Sequence, residues 1–150
     1  YPQDLKEEVH ADGEIIAGCF WDLYLNLGSM QQMLDLFKYT YDSAPQEPNG
    51  SEGKLYTDIL LEVLFADDND ANITNGTPND LSIVQAFALH GITLLSNAVI
   101  THNPVEIANA NSPIAINGNI ALTYPWAFAN ADCYYRTNDN LTWNNIYFII

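Results

Sequence analysis

Positive charge is what this sequence has least of: four Lys plus Arg stand against 19 Asp plus Glu, a formal net charge of −15 over 150 residues. Such a surface repels nucleic acid and anionic membranes through long-range electrostatics, so no nucleic-acid partner is expected. It suits a protein bathed in a salty or calcium-containing medium. Cysteine is nearly absent. Cys19 and Cys133 are too few for a disulfide framework and fall in segments of different type, helix and strand, so both read as buried thiols. No apolar run approaches the ~20 residues needed to span a bilayer, and the opening Y-P-Q-D-L-K-E-E is no signal peptide; no membrane insertion is expected. There is no initiator Met either, and a helix start arrives within ten residues, which reads as a piece cut from a longer protein.

Familiar catalytic signatures are missing as well. There is no nucleophile elbow, P-loop or GxGxxG, and His10, His90 and His102 are never four apart, so the helical H-E-x-x-H pair that holds catalytic zinc is absent.

What is present is core-forming material: 48% of residues are hydrophobic, enough for one domain or two small ones. Residues 9–27, V-H-A-D-G-E-I-I-A-G-C-F-W-D-L-Y-L-N-L, place Ile15, Ile16, Cys19, Phe20, Leu23 and Leu27 on one helical face. His10 stands at the mouth of that helix. Gly28-Ser29 stops it and opens a second helix to about Tyr41, with Ser29 as N-cap, Gln32 as its reciprocal partner, and Met30, Met33, Leu34, Phe37 and Tyr41 inward. Residues 42–53, dense in Pro, Gly and Asn, predict an exposed connection. A third helix carries Leu55, Ile59, Leu60, Val63 and Leu64 and ends near Phe65-Ala66.

The polar stretch 67–79, D-D-N-D-A-N-I-T-N-G-T-P-N, offers alternating oxygens at Asp68, Asp70 and Asn72. Hard cations take six to eight oxygens, so this is a candidate calcium loop; but Ile73 stands where a sixth-position glycine is expected, no Glu stands at the twelfth, and Asx turns explain the same composition. Thr77-Pro78-Asn79-Asp80 predicts a capping box opening a fourth helix, with Leu81, Val84, Phe87 and Ala88 inward and His90-Gly91-Ile92 as its left-handed stop. His90 in the last turn complements the helix dipole, a structural role. Beyond residue 97 the texture changes to short β-branched and aromatic runs, with strands expected at 98–102, 114–123, 133–136 and 143–149. Four strands are fewer than the ~7 of a full immunoglobulin-like sandwich. The fold class expected is α+β in two units: an all-α bundle of about four helices over residues 1–96, then a partial antiparallel immunoglobulin-like β-sandwich over 97–150.

V-H-A-D-G-E-I-I-A-G-C-F-W-D-L, followed by N-G-T-P-N-D-L-S-I-V-Q-A-F-A-L-H-G-I, resembles the C-terminal helical half of the gluzincin zinc metallopeptidases, the thermolysin and fungalysin group. The resemblance covers roughly residues 8–92, two motifs in the family's order. It implies a secreted or cell-surface, bacterial zinc endopeptidase acting on peptide or protein substrates. By position it carries over one catalytic residue: His10, the histidine that hydrogen-bonds the developing oxyanion. The aspartate that usually orients it, five residues earlier, is Leu5 here, with Asp4, Glu7 and Glu8 as nearby substitutes. The zinc ligands would lie upstream of Tyr1, on a missing N-terminal half of the catalytic domain, so the 150 residues alone are expected to be inactive. The competing expectation is a non-catalytic cell-surface binding or adhesion module, with Trp21, Trp126 and Trp143 as stacking platforms.

Overall fold

The computed structural model of the chain describes residues 1–43, 56–109, 111–136 and 142–147. Helix α1 spans Val9–Leu27, as its periodicity requires. Ile16, Cys19, Phe20 and Leu23 are buried, with Ile15 and Leu27 packed at the margin. Gly28 ends the helix in the left-handed conformation (φ 66°), its N–H donating to the Tyr24 carbonyl, a backbone geometry that glycine adopts without a Cβ penalty.

Helix α2, Met30–Ser43, opens with the Gln32 N–H donating to Ser29 Oγ at 3.3 Å. Its buried face differs from the expected one. Met33, Leu36 and Thr40 point inward, while Met30, Leu34, Phe37 and Tyr41 are exposed. Thr40, only 1% exposed, takes a core position because its hydroxyl donates to the Leu36 carbonyl at 2.8 Å, leaving no unmet donor. Phe37 still touches the core by an edge-on contact with Phe20, ring centroids 5.0 Å apart. The helix runs through Asp42 and Ser43, where a connection was expected; the rest of that connection, and Leu55, lie outside the described residues.

Helix α3, Tyr56–Asp67, buries Ile59, Leu60, Val63 and Leu64. A 3-10 turn at Ile73–Asn75 follows, then helix α4, Asp80–Ala88, which starts later than Pro78. The expected capping box closes on one arm: the Thr77 N–H donates to Asp80 Oδ2 at 3.3 Å, but the Thr77 hydroxyl is drawn away to Asp67 Oδ2 at 2.6 Å. The inward residues are Ile83, Ala86 and Phe87; Leu81 is 58% exposed, Ala88 is exposed and Val84 half-buried. The stop is the expected one. The Ile92 N–H reaches the Phe87 carbonyl at 3.1 Å and the Gly91 N–H the Ala88 carbonyl at 3.0 Å, with Gly91 at φ 75° and Ile92 buried, the paired bonds and apolar contact of a Schellman motif.

Among the described residues four helices are therefore followed by strands: β1 (Ala98–His102), β2 (Gly118–Leu122), β3 (Asp132–Tyr135) and β4 (Asn144–Tyr147). Mixed α+β architecture holds. Among the described residues the strands form two separate antiparallel ribbons, β1 with β2 from Ala98↔Leu122 to His102↔Gly118, and β3 with β4 from Asp132↔Tyr147 to Tyr135↔Asn144. The strand expected from residue 114 begins at Gly118, leaving Ile114 and Ile116 exposed ahead of it, and residues 148–150 of the last expected strand lie outside the described residues. A short 3-10 turn, Pro125–Ala127, joins the two halves: Trp126 Nε1 donates to the Ile73 carbonyl at 2.9 Å, and Tyr124 and Trp126 pack against the helical core.

Candidate active-site histidine

The first turn of α1 presents His10 because Glu8 holds the helix entrance. Glu8 has extended backbone (φ −127°, ψ 120°), and its Oε2 accepts from the His10 N–H at 3.1 Å and from the Ala11 N–H at 2.9 Å, satisfying two donors that a helix start leaves bare. Its other oxygen, Oε1, lies 2.8 Å from His10 Nδ1. One carboxylate thus caps the helix and fixes the ring. The His10 ring contact, followed by the Ala11 and His10 N–H bonds, holds the Glu8 carboxyl below its ordinary value.

A carboxylate beside Nδ1 makes that nitrogen the one that carries a proton toward it. The His10 side chain is 90% exposed, so the opposite nitrogen, Nε2, is open to an incoming group. Of the acidic residues Asp4, Glu7 and Glu8, Glu8 is the one that meets the ring; Asp4 instead lies 3.5 Å from the Tyr1 amino nitrogen.

Two further contacts fix this turn. The Lys6 N–H donates to Asp12 Oδ1 at 2.8 Å, folding the preceding segment back over the helix start. Tyr56, first residue of α3, donates its hydroxyl to the Asp12 carbonyl at 2.6 Å and packs against Tyr1 with ring centroids 5.0 Å apart and planes tilted by 45°. Burial, then the charge of Asp12, pushes the Tyr56 phenol upward, so it remains a donor through the neutral range.

The other histidines lie apart. His90 Nε2 is 2.8 Å from Asp22 Oδ2, both side chains 26% exposed, and its ring covers Gly18; it clamps the end of α4 to α1, a structural role. His102 ends β1 and is exposed.

Asp68, Asp70 and Asn72 have turned their oxygens into their own loop. Asp68 Oδ1 accepts from the Asp70 N–H at 3.1 Å. Asp70 Oδ1 accepts from the Asn72 N–H at 3.0 Å and its Oδ2 from Asn75 Nδ2 at 2.8 Å. Asn72 Oδ1 accepts from the Thr74 N–H at 3.2 Å and hydroxyl at 2.6 Å. These are consecutive Asx turns, and Asp68 Oδ2 is buried without a hydrogen-bond partner. The residue that organises the loop is Asp67, whose carboxylate accepts from the Thr77 hydroxyl, the Asn79 N–H and Asn79 Nδ2, each at 2.6 Å. Among the described residues no three His, Cys, Asp or Glu gather to hold a metal ion.

Of the tryptophans, Trp126 is spent at the junction of the two halves, whereas Trp21 and Trp143 are exposed. The Arg136 guanidinium lies 4.9 Å above the Trp143 ring.

In the sequence Glu8 is one of three equivalent acidic residues, marked out only by its place just ahead of a helix without a Ser, Thr, Asp or Asn cap; Tyr56 and Asp67 act across the fold and carry no local signal. No helix among the described residues is long and apolar enough to cross a membrane. No protein family, curated protein or solved structure matches the chain.

Proposed function

We propose that the chain forms one wall of the active-site cleft of a secreted or cell-surface, bacterial zinc endopeptidase of the gluzincin group, and that His10 is its oxyanion-stabilising residue. The observation that carries this reading is the Glu8–His10 pair: a carboxylate 2.8 Å from Nδ1 on a side chain 90% exposed leaves Nε2 open to substrate, and the doubly protonated ring, with Nδ1–H on Glu8, is the form whose Nε2–H donates. When water adds to a peptide carbonyl, negative charge grows on its oxygen. A preorganised N–H aimed at that oxygen gains strength as the charge develops, which is how such a donor lowers a barrier. Zinc would activate the attacking water, and its ligands belong to a preceding wall of the cleft; no step of that activation is assigned to this chain.

The β ribbons fit the same reading as part of an appended immunoglobulin-like sandwich. Among the described residues each strand has one neighbour, and the ribbons carry exposed apolar residues, Val99 and Ile100 on opposite faces of β1 and Tyr134 and Ile146 on opposite faces of the second ribbon, so that each face offers apolar surface for a further sheet to cover. Calcium at Asp68, Asp70 and Asn72 forms no part of the catalytic reading, since Asx turns already employ most of those oxygens.

The test is a comparison of the intact gene product with the isolated 150-residue chain on a denatured protein substrate. Chelator-sensitive cleavage by the intact product, and none by the chain alone, supports the proposal. Chelator-sensitive proteolysis by the isolated chain would contradict it. The second reading, a surface-binding module, draws on the exposed Trp143 beneath Arg136; it requires an intact product without peptidase activity that binds a glycan and loses that binding on Trp143→Ala.

A further inference from the structure

We propose that Asn117-Gly118, at the entry to β2, is a site of spontaneous backbone rearrangement to isoaspartate, and that the fold protects Asn75-Gly76 from the same chemistry. The reaction needs the amide nitrogen after an asparagine to reach that asparagine's Cγ, and glycine, lacking Cβ, lets the backbone take the required shape. The Gly118 nitrogen loses its proton to solvent base and attacks Asn117 Cγ; the new N–Cγ bond forms, the Cγ–Nδ2 bond breaks, and ammonia leaves. Water then opens the succinimide at either carbonyl, giving aspartate or isoaspartate. One water is consumed, one ammonia is released, and nothing is oxidised or reduced.

The β1–β2 register decides whether that nitrogen is free. The Thr123 N–H donates to the Asn97 carbonyl at 3.2 Å, one step beyond the Ala98↔Leu122 pair. Opposed residues in an antiparallel ribbon alternate between pairs that exchange hydrogen bonds and pairs that do not. Counting along the ladder from Asn97 and Thr123, Val99↔Ala121 and Thr101↔Asn119 exchange bonds, whereas His102↔Gly118 does not. The Gly118 N–H therefore faces away from β1, toward the side where β2 has no neighbouring strand among the described residues. Asn117 itself is exposed and precedes the strand.

Asn75-Gly76 has the opposite environment. The Gly76 N–H is engaged with the Ile73 carbonyl at 3.3 Å, and Asn75 Nδ2, on the leaving group, is held by Asp70 Oδ2 at 2.8 Å. Both bonds must open before the nitrogen can attack. The third such pair, Asn49-Gly50, lies outside the described residues. Conversion at Asn117 adds a carboxylate to a chain already at −15, and the isoaspartyl form lengthens the backbone by one methylene where β2 enters its register.

The experiment is timed incubation of the folded chain at mildly alkaline pH, with peptide mapping by mass spectrometry and electron-transfer fragmentation to distinguish isoaspartate from aspartate. A parallel incubation in urea serves as the unfolded reference. Asn117 should convert roughly tenfold or more faster than Asn75 in the folded chain, as expected if each opened hydrogen bond slows the reaction several-fold, and the two should approach parity in urea. Asn117→Gln should remove the fast product. Equal rates in the folded chain, faster conversion at Asn75, or a disparity that persists in urea would each overturn the proposal.

Discussion

Gly18 sits in the middle of α1, where a glycine is ordinarily a weakness: replacing it with alanine in a helix interior stabilises by about 0.5–1 kcal/mol when the added methyl meets only solvent. Here a Cβ on Gly18 would overlap the His90 ring. That ring cannot simply swing aside, because its Nε2 is bonded to Asp22 and its backbone lies within the α4 terminating turn. Forcing a methyl into such a contact costs about 1–3 kcal/mol, so Gly18→Ala should destabilise the chain by about 1 kcal/mol net. Removing the ring reverses the sign. In a His90→Ala background the same substitution should stabilise, by up to about 1 kcal/mol, giving a coupling of roughly 2 kcal/mol between the two positions. Urea unfolding of the four variants, followed by circular dichroism, measures this directly. A Gly18→Ala chain more stable than the parent, or equal effects of Gly18→Ala in both backgrounds, would refute the clamp between α1 and α4.

Acid should act on the entrance of α1. The Glu8 carboxyl is held below its ordinary 4.5 in the folded chain, so its contribution to stability is full above pH 4.5 and is lost as pH falls through the lowered folded value. Glu8→Gln should remove this part of the acid dependence, read from stability against pH; an unchanged acid limb would count against the cap. Burial pushes the Cys19 thiol up to about 12, so in the native chain at mildly alkaline pH iodoacetamide should label Cys133, which is half-buried, well before Cys19. Mass mapping after a short pulse checks the order, and equal labelling would show that Cys19 is not sealed in the core.

The helical half was legible where local signals agreed. The bounds of α1 followed from an unbroken apolar stripe between polar residues and Gly28, and the stop of α4 from Gly91 with Ile92 beyond it. The errors came from hydrogen bonds that a hydrophobic pattern cannot carry. Thr40 lies in the core because its hydroxyl finds the Leu36 carbonyl, which turns the buried face of α2 away from Leu34 and Phe37. Helix α4 begins late because the Thr77 hydroxyl that should cap it is committed to Asp67, ten residues back. Strand positions were largely visible in β-branched and aromatic runs, but pairing depends on distant partners, and two separate ribbons could not be told from one sheet. At the candidate site, His10 was visible because it interrupts an otherwise readable helix start. Glu8 was hidden because glutamate is a poor predictor of a cap, and Tyr56 because it reaches Asp12 across 44 positions of sequence.

The central claim concerns His10 Nε2, and one measurement reaches it most directly: kcat and KM for peptide hydrolysis, determined separately, for His10→Ala in the intact gene product proposed to be a peptidase. Loss of a donor used only in the transition state lowers kcat by about 100-fold or more while KM stays close to its parent value. A His10→Ala enzyme with unchanged kcat, or one whose loss lies wholly in KM, would show that the exposed histidine at the mouth of α1 does not serve the reaction.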